Sequence, residues 1–285
     1  MMLGFIVDAF VTERPFSGNP AGVCLIPSDK TLSDDLMQNI ANELKHSETA
    51  FIQILSSEDG ELSCSLRWFT PTVEVELCGH ATLASAAALS FSKYWNPATL
   101  TTVKFHTLYS GDLIVQALDA NFFQMDFPLL PVEQVTESMN EELLAALGLR
   151  REQVVYYGKS KFDVFIHVQN QSLVEKLTPA FEKLLRIPQV GRGVIVTSLA
   201  DNREEAHFCS RFFAPWTGVN EDPVTGSAHC SLGYYWNLQL GKSDLYGIQL
   251  SSRGGRVSLK LDNDTNRVKL GGETRVMFSG SFPFL

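Results

Sequence analysis

Residues 78–91 read Cys-Gly-His-Ala-Thr-Leu-Ala-Ser-Ala-Ala-Ala-Leu-Ser-Phe, and no charged side chain occurs from Ala81 to Phe91. Small and apolar side chains on every face predict a helix that is buried on all sides. The stretch is too short to span a membrane. Strand-like patterns follow at residues 101–105, 113–118 and 122–127. The sequence therefore predicts a β-sheet that wraps around a central helix.

The second half of the chain repeats this arrangement. Residues 227–241 are again free of charge, and strand patterns lie on both sides of them. Each apolar stretch follows a Phe-x-Pro motif, a short loop and a Gly-x-Ala motif. A period this long indicates duplicated domains. We predict an α+β fold of two similar domains, each a mostly antiparallel sheet rolled around a buried helix. The first spans 1–128 plus a strand at about 275–285, and the second spans 129–274.

Composition limits the classes of partner. The chain has 285 residues and a formal net charge of −9. An acidic surface repels phosphate groups, so neither nucleic acid nor an anionic membrane is predicted as a partner. The first residues lack the basic and apolar regions of a signal peptide. Five sparsely spaced cysteines are typical of reduced thiols in a cytoplasmic protein, which is the predicted location.

The two predicted helix starts are candidate binding sites for a small anion. Gly79 and Gly226 allow a ligand to approach the backbone, and the first N–H groups of a helix attract carboxylates or phosphates. Either glycine alone is equally explained by a tight turn, but their pairing favours a functional site. We expect both starts to face one cleft between the domains.

Three titratable side chains lie near these starts in the sequence. Glu48 opens an apolar strand, and a carboxylate partly buried there suits general acid–base catalysis. The competing explanation is a solvated glutamate at a strand end. His80 begins the first helix, where a packing role is equally compatible. Asp222 precedes the second helix and is also explained as a turn residue, and Glu221 has the same simple explanation.

Cys78 is an alternative nucleophile or base, because a helix N-terminus favours the thiolate form. The competing explanation is a small buried residue. Cys78-Gly79-His80 and His229-Cys230 lack the paired spacing of zinc ligands, so no metal site is predicted. Dinucleotide, phosphate-loop and serine-hydrolase motifs do not occur in the sequence.

Motifs along the whole chain resemble those of the PhzF-like family of phenazine biosynthesis proteins. In chain order they are Val7-Asp8-Ala9-Phe10, Phe16-Ser17-Gly18-Asn19-Pro20-Ala21, Ser47-Glu48-Thr49-Ala50-Phe51, Arg67-Trp68-Phe69-Thr70-Pro71, Cys78-Gly79-His80-Ala81-Thr82, Glu221-Asp222-Pro223-Val224-Thr225-Gly226-Ser227-Ala228, Arg253-Gly254-Gly255-Arg256 and Gly271-Gly272. The resemblance implies a diaminopimelate-epimerase-like fold, a homodimer and an isomerase that needs no cofactor.

The resemblance also implies roles for individual residues. It places the proton-shuttling glutamate at Glu48 and adds His80 and Asp222 to the catalytic set. The residues implied to bind a small carboxylate substrate are Asn19, Ser47, Gly79, Gly226 and Ser227.

Epimerases of this fold use one thiol at each helix start, whereas this chain has Cys78 at the first and Thr225 at the second. A single carboxylate that moves a proton between two carbons on one face needs no second base, so Glu48-dependent isomerisation is the leading hypothesis. Two alternatives stay open. One is a Cys78-dependent amino-acid racemase or dehydratase. The other is a non-catalytic protein that binds a ligand or another protein.

Overall fold

The structure is a computed structural model that describes residues 1–58, 61–136 and 139–283. Its strands are β1 (Met2–Val11), β2 (Asn19–Ile26), β3 (Thr49–Glu58), β4 (Glu61–Phe69), β5 (Glu74–Val75), β6 (Thr102–His106), β7 (Asp112–Ala117), β8 (Phe122–Pro128), β9 (Glu133–Gln134), β10 (Val154–Lys159), β11 (Val164–Val168), β12 (Val194–Leu199), β13 (Phe208–Phe213), β14 (Asp244–Gln249), β15 (Gly255–Asp262) and β16 (Arg267–Phe282). Its helices are α1 (Asp34–Leu44), α2 (Gly79–Phe91), α3 (Glu141–Leu147), α4 (Gln171–Glu175), α5 (Phe181–Leu184) and α6 (Gly226–Leu240).

The chain forms two compact units. The first contains Met1–Asp126 and the chain from Gly271 onward, and the second contains Phe127–Leu270. The predicted boundaries were 128/129 and 274/275. They differ because β8 and β16 each continue through a boundary without a break. The predicted C-terminal strand ends at Phe282, and residues 284 and 285 lie outside the described residues.

The strands of the first unit follow the order β1-β2-β3-β4-β6-β7-β8-β16, and β16 also pairs with β1. The sheet of this unit therefore closes on itself through β16. Helix α2 packs against β1, β2, β3 and β7, and ten of its residues are buried. A helix with no polar face is stable only in such surroundings. The prediction of a buried helix at 81–91 is confirmed as far as Leu89, whereas Ser90 is half-buried and Phe91 is 56% exposed.

The second unit has the strand order β9-β10-β11-β12-β13-β14-β15 and continues into β16. Helix α6 packs against β14 and β15, and eight of its residues are buried. The units share one pattern of strand directions. In the first, β2–β3 and β4–β6 are parallel and β3–β4 is antiparallel. In the second, β11–β12 and β13–β14 are parallel and β12–β13 is antiparallel.

The parallel pairs refine the prediction of mostly antiparallel sheets, because the sheets are mixed. Parallel neighbours need a crossover connection, which is commonly a helix. Here α1 connects β2 to β3, and α2 lies between β4 and β6. In the second unit α6 connects β13 to β14. Both buried helices therefore belong to crossover connections. Helix α2 begins at Gly79, after β5 ends at Val75, and α6 begins at Gly226, after β13 ends at Phe213.

Local signals explain where α1 begins. Ser33 is its N-cap, and the Ser33 side chain accepts a hydrogen bond from the Leu36 backbone N–H. Asp34 and Asp35 occupy the first turn, where the positive end of the helix stabilises acidic side chains. Within the described part of the chain, every helix is too short or too polar to cross a membrane.

Candidate active site

Glu48 lies in the first unit, in the short connection between α1 and β3. Its backbone carbonyl accepts a hydrogen bond of 3.1 Å from the Gly22 backbone N–H. Gly22 pairs with Thr49 in the parallel β2–β3 ladder, and a Cβ at Gly22 would lie 2.8 Å from Thr49 Oγ1. The glycine is therefore needed for this close approach of the strands. The approach fixes the backbone that carries the Glu48 side chain.

His80 is the second residue of α2 and lies between Glu48 and Cys78. Its Nε2 atom is 3.3 Å from Glu48 Oε2, and its Nδ1 atom is 3.4 Å from Cys78 Sγ. His80 and Cys78 are each only 7% exposed, whereas the Glu48 side chain is 20% exposed. Three groups that can exchange protons thus form a chain, and only its carboxylate end has substantial solvent contact.

The imidazole satisfies both contacts in more than one protonation state. In the neutral ring, Nε2–H donates a hydrogen bond to the Glu48 carboxylate, and Nδ1 accepts a hydrogen bond from the Cys78 S–H. In the imidazolium, both ring nitrogens donate, and the thiol is a thiolate. Ser47 Oγ lies 3.5 Å from the same Nε2 atom. The arrangement therefore orients Glu48 and couples its charge to that of Cys78.

The structure also locates the other predicted residues of the first unit. Asn19 is fully buried at the first residue of β2, and Gly79 is the half-buried first residue of α2. The structure thus brings Glu48, Ser47 and Cys78 into direct contact with His80. Substrate binding by Asn19 and Gly79 stays a prediction.

Both buried helices begin without a side-chain cap. Cys78 and Thr225 are the N-cap residues of α2 and α6, and neither side chain hydrogen-bonds to the first turn of its helix. By contrast, Ser33, Asn140 and Asn170 cap α1, α3 and α4 in this way. The first N–H groups of a helix have no partner within the helix. The uncapped starts are therefore suited to an anion.

Asp222 belongs to the second unit, where it contacts the start of α6. Its carboxylate accepts a hydrogen bond of 2.5 Å from Thr225 Oγ1. Gln249, on β14, accepts from the Thr225 backbone N–H at 2.9 Å and donates to the Asp222 carbonyl at 2.7 Å. Gln249 is 1% exposed. Nothing in the sequence marks this buried amide, since a glutamine at a strand end carries no distinctive pattern.

Gly226 and Ser227 are the half-buried first two residues of α6. Beyond its chain neighbours and the backbone of its own helix, no atom of the described residues lies within 4 Å of a Cβ built at Gly226, and its φ is not in the left-handed region. Neither packing nor backbone geometry therefore requires a glycine at this position. The small residue keeps open a path to the backbone at the helix start, as expected of a position that a ligand approaches.

One arginine–glutamate pair recurs before each buried helix. Arg67, two residues before Phe69, makes a two-point ion pair with Glu74 at 2.7 and 2.8 Å. Arg211, two residues before Phe213, makes the same pair with Glu221 at 2.6 and 2.9 Å. Each glutamate precedes its helix N-cap by four residues, since Glu74 leads to Cys78 and Glu221 to Thr225. The pairs hold the connections that lead to the helix starts.

His229 lies one turn inside α6 and is fully buried. Its Nδ1–H donates to the Thr225 carbonyl at 2.8 Å, and Nε2 has no hydrogen-bond partner within the described ranges. Burial lowers the pKa of His229 from 6.5 to about 4, because a second proton would place a charge in apolar surroundings.

The lowered pKa of His229 predicts that the protein loses stability in mild acid. Between pH 6.5 and 4 the unfolded chain binds a proton that the folded chain does not. The free energy of unfolding should therefore fall as pH falls, by up to about 1.4 kcal/mol per pH unit from this group. Urea titrations across this range should show a steeper fall for the native protein than for His229→Asn. Parallel curves for the two proteins would contradict the assignment.

A second group of hydrogen-bonded side chains lies on the sheet of the first unit. Ser63 Oγ is 2.7 Å from His106 Nε2, and His106 Nδ1 is 2.7 Å from Asp112 Oδ1. This order resembles a hydrolase triad, which also needs free N–H donors for an oxyanion. Ser63 instead lies within β4, between the paired strands β3 and β6, where backbone N–H groups bond to neighbouring strands. We therefore interpret the hydrogen bonds among Ser63, His106 and Asp112 as structural links between strands.

Comparisons with known proteins agree with this structure. Residues 7–280 match the family described as phenazine biosynthesis-like protein, PhzC-PhzF. An uncharacterized isomerase of Halalkalibacterium halodurans is 42% identical over 262 residues, covering 91% of each chain. A phenazine biosynthesis-like domain-containing protein of Bos taurus is 42% identical over 289 residues, covering 97% of each chain.

Solved structures support the same assignment. A phenazine biosynthesis protein of the PhzF family from Enterococcus faecalis superposes with a TM-score of 0.85 at 38% identity, covering 98% of each chain. A hydroxyproline epimerase from Agrobacterium vitis matches with a TM-score of 0.58 at 11% identity, covering 98% of this chain and 91% of the other, which shows a shared fold alone. The fold is thus of the α+β, diaminopimelate-epimerase type. The chain belongs to the PhzC-PhzF family of phenazine biosynthesis-like proteins and is an enzyme of the isomerase class.

Proposed function

We propose that the enzyme moves a proton within a small substrate that bears a carboxylate, and that Glu48 is the general acid and base. The observation that carries this proposal is the contact of 3.3 Å between Glu48 Oε2 and His80 Nε2. This contact lies beside the uncapped start of a buried helix. It supplies an oriented carboxylate next to N–H groups that are suited to a developing negative charge.

The proposed reaction needs one base and no oxidation or reduction. Glu48 removes a proton from one substrate carbon, and the electron pair left behind is delocalised as an enolate-like anion. The protonated Glu48 then returns the same proton to a second carbon on the same face. His80 keeps the Glu48 carboxylate in position through Nε2. The N–H groups at the start of α2 stabilise the anion while it exists.

The start of α6 is proposed to bind a substrate carboxylate. The support is its missing cap, the open space at Gly226 and the hydroxyl of Ser227 on the second residue. Asp222 is proposed to contribute through Thr225, whose position it fixes by a hydrogen bond. The homodimer stays a prediction.

Gly226→Ala tests this binding role. We expect the thermal stability to stay the same or rise slightly. Among the described residues, the added methyl group meets no atom within 4 Å beyond its chain neighbours and its own helix backbone, and alanine favours a helix by about 1 kcal/mol. Substrate binding should weaken about tenfold, because the methyl group blocks the approach to the backbone N–H groups. Calorimetric titration and thermal denaturation measure the two effects. Unchanged binding in the variant would remove the start of α6 from the substrate site.

The function itself is tested with a panel of small cyclic and amino-acid-like carboxylates. Compounds that raise the Tm are selected first, because ligands that bind the folded state stabilise it. Each selected compound is then incubated with the enzyme in deuterium oxide. We expect a compound that binds to take up solvent deuterium at carbon, or to isomerise with its proton retained. Compounds that bind but show neither change would contradict the proposal.

The contact between Cys78 Sγ and His80 Nδ1 favours one second candidate. A thiol paired with an imidazole at a helix start can act as a base or nucleophile. In that case the enzyme is an amino-acid racemase or dehydratase that depends on Cys78. A two-thiol reaction needs one thiol at the start of each buried helix. Because Thr225 occupies the position at α6 that matches Cys78 at α2, the second thiol is missing. The single-carboxylate reaction needs no such partner.

A further inference from the structure

The residues of the proposed proton relay also have the composition of a transition-metal site. Glu48, Cys78 and His80 each offer one ligand atom, and these three atoms all lie within 4.8 Å of one another. The donors are one carboxylate oxygen, one sulfur and one imidazole nitrogen. Zn²⁺ binds all three donor types in proteins. The sequence showed only Cys78-Gly79-His80, and the third donor comes from a connection 30 residues earlier.

The distances are close to those of a tetrahedral zinc site. Zinc–sulfur and zinc–nitrogen bonds of about 2.3 and 2.1 Å put the two ligand atoms roughly 3.5 Å apart at a tetrahedral angle. Cys78 Sγ and His80 Nδ1 are 3.4 Å apart. These two atoms therefore already have the required spacing. The Glu48 oxygen lies within 4.8 Å of the other two ligand atoms, and a rotation of the Glu48 side chain toward them completes a three-ligand set.

The surroundings support a bound ion. When Nδ1 ligates a metal, Nε2–H needs an acceptor that fixes the ring, and such contacts strengthen metal sites. Ser47 Oγ is 3.5 Å from Nε2 and remains there as an acceptor when the Glu48 carboxylate turns toward the ion. The sulfur and imidazole are buried, while the carboxylate is partly exposed, so an ion reaches the site from the side of Glu48.

We propose that Glu48, Cys78 and His80 bind a single Zn²⁺ or a similar soft divalent ion, and that the bound ion inhibits proton transfer. Binding coordinates the Glu48 carboxylate and the Cys78 thiolate. Any proton on Sγ leaves to solvent, so affinity rises with pH. The inhibitory effect rests on the proposed role of Glu48 as base, because a coordinated carboxylate cannot accept the substrate proton. The binding itself rests on the geometry alone.

Cadmium provides a direct measurement, because a cadmium–thiolate bond gives an ultraviolet charge-transfer band. The full-length protein is first treated with a chelator and then titrated with Cd²⁺, and Zn²⁺ is used in competition. We expect one equivalent to bind, with a band that disappears in Cys78→Ala. His80→Gln should weaken binding by more than about 100-fold, since changes outside the ligand set alone cost about 10- to 100-fold.

Cys64→Ala is the matched control. Cys64 is a buried thiol of the same unit, on β4, and burial raises its pKa to about 12. This variant should keep the band and bind cadmium as the native protein does. A band that persists in Cys78→Ala, or disappears in Cys64→Ala, overturns the assigned site. Absence of saturable binding to the native protein overturns it as well.

Deuterium exchange separates this inference from the proposed function. Exchange that stops when Zn²⁺ binds and returns with chelator supports both parts of the inference. If no ion binds but Glu48→Gln abolishes exchange, the metal site is wrong and the function stands. If the ion binds as expected and exchange continues at its full rate, the inhibitory part is overturned, and Glu48 is not the base.

Discussion

Glu48→Gln is expected to lower proton transfer to the substrate by about 10²- to 10⁴-fold. Glutamine keeps the size of the side chain and a carbonyl oxygen that can still accept a hydrogen bond from His80 Nε2. It cannot accept a proton from carbon. The variant should therefore fold, bind the substrate and fail in catalysis. Deuterium uptake from solvent into the substrate, measured by mass spectrometry or NMR, gives the rate.

Cys78→Ser serves as the comparison for Glu48→Gln. Serine keeps a hydroxyl close to His80 but removes the thiol, so a carboxylate-dependent reaction should lose about tenfold or less. A racemase that depends on Cys78 predicts the opposite order, with the larger loss in Cys78→Ser. Native rates in Glu48→Gln, with the variant shown to be folded by circular dichroism, would remove Glu48 from the mechanism.

The two buried helices were predictable because their signal is local. A stretch such as residues 81–91 has no polar face, and only a fully buried helix suits it. Duplication was visible because Gly79 and Gly226 follow the same Phe-x-Pro motif. The parallel strand pairs were not predicted, because strand direction depends on crossover connections between distant segments.

The candidate site was predictable as a set of residues but not as a geometry. The resemblance named Glu48 and His80, while their contact through Nε2 depends on how the parallel β2–β3 pair places residue 48 beside α2. Gln249 was missed because nothing in the sequence distinguishes a buried amide from an exposed one. The paired arginines had a readable signal, an Arg-x-Phe strand end followed by a glutamate four residues before the helix N-cap.

These arginines have different surroundings, and this difference predicts unequal effects on stability. Arg211 binds Glu221 at two points, and its Nη1 also donates to the Leu177 carbonyl at 2.7 Å. The side chains of Arg211 and Glu221 are 11% and 20% exposed. Arg67 binds Glu74 in the same way, but its Nη1 contacts Asp34, whose side chain is 75% exposed and hydrated. Loss of Arg211 therefore leaves more buried polar groups without a partner.

Arg211→Met is accordingly expected to lower the free energy of unfolding by about 3 to 5 kcal/mol, the cost of breaking a buried ion pair. Arg67→Met should cost less, about 2 kcal/mol, since one of its two partners, Asp34, is well exposed to water. Methionine retains the apolar stem, so urea denaturation of the two variants compares mainly the lost polar contacts. Adding Glu221→Gln to Arg211→Met should restore part of the loss, because it removes the unpaired charge. An equal or larger loss in Arg67→Met would show that the pair before α6 is not the stronger of the two. No recovery in the double variant would show that the unpaired Glu221 charge does not cause the loss.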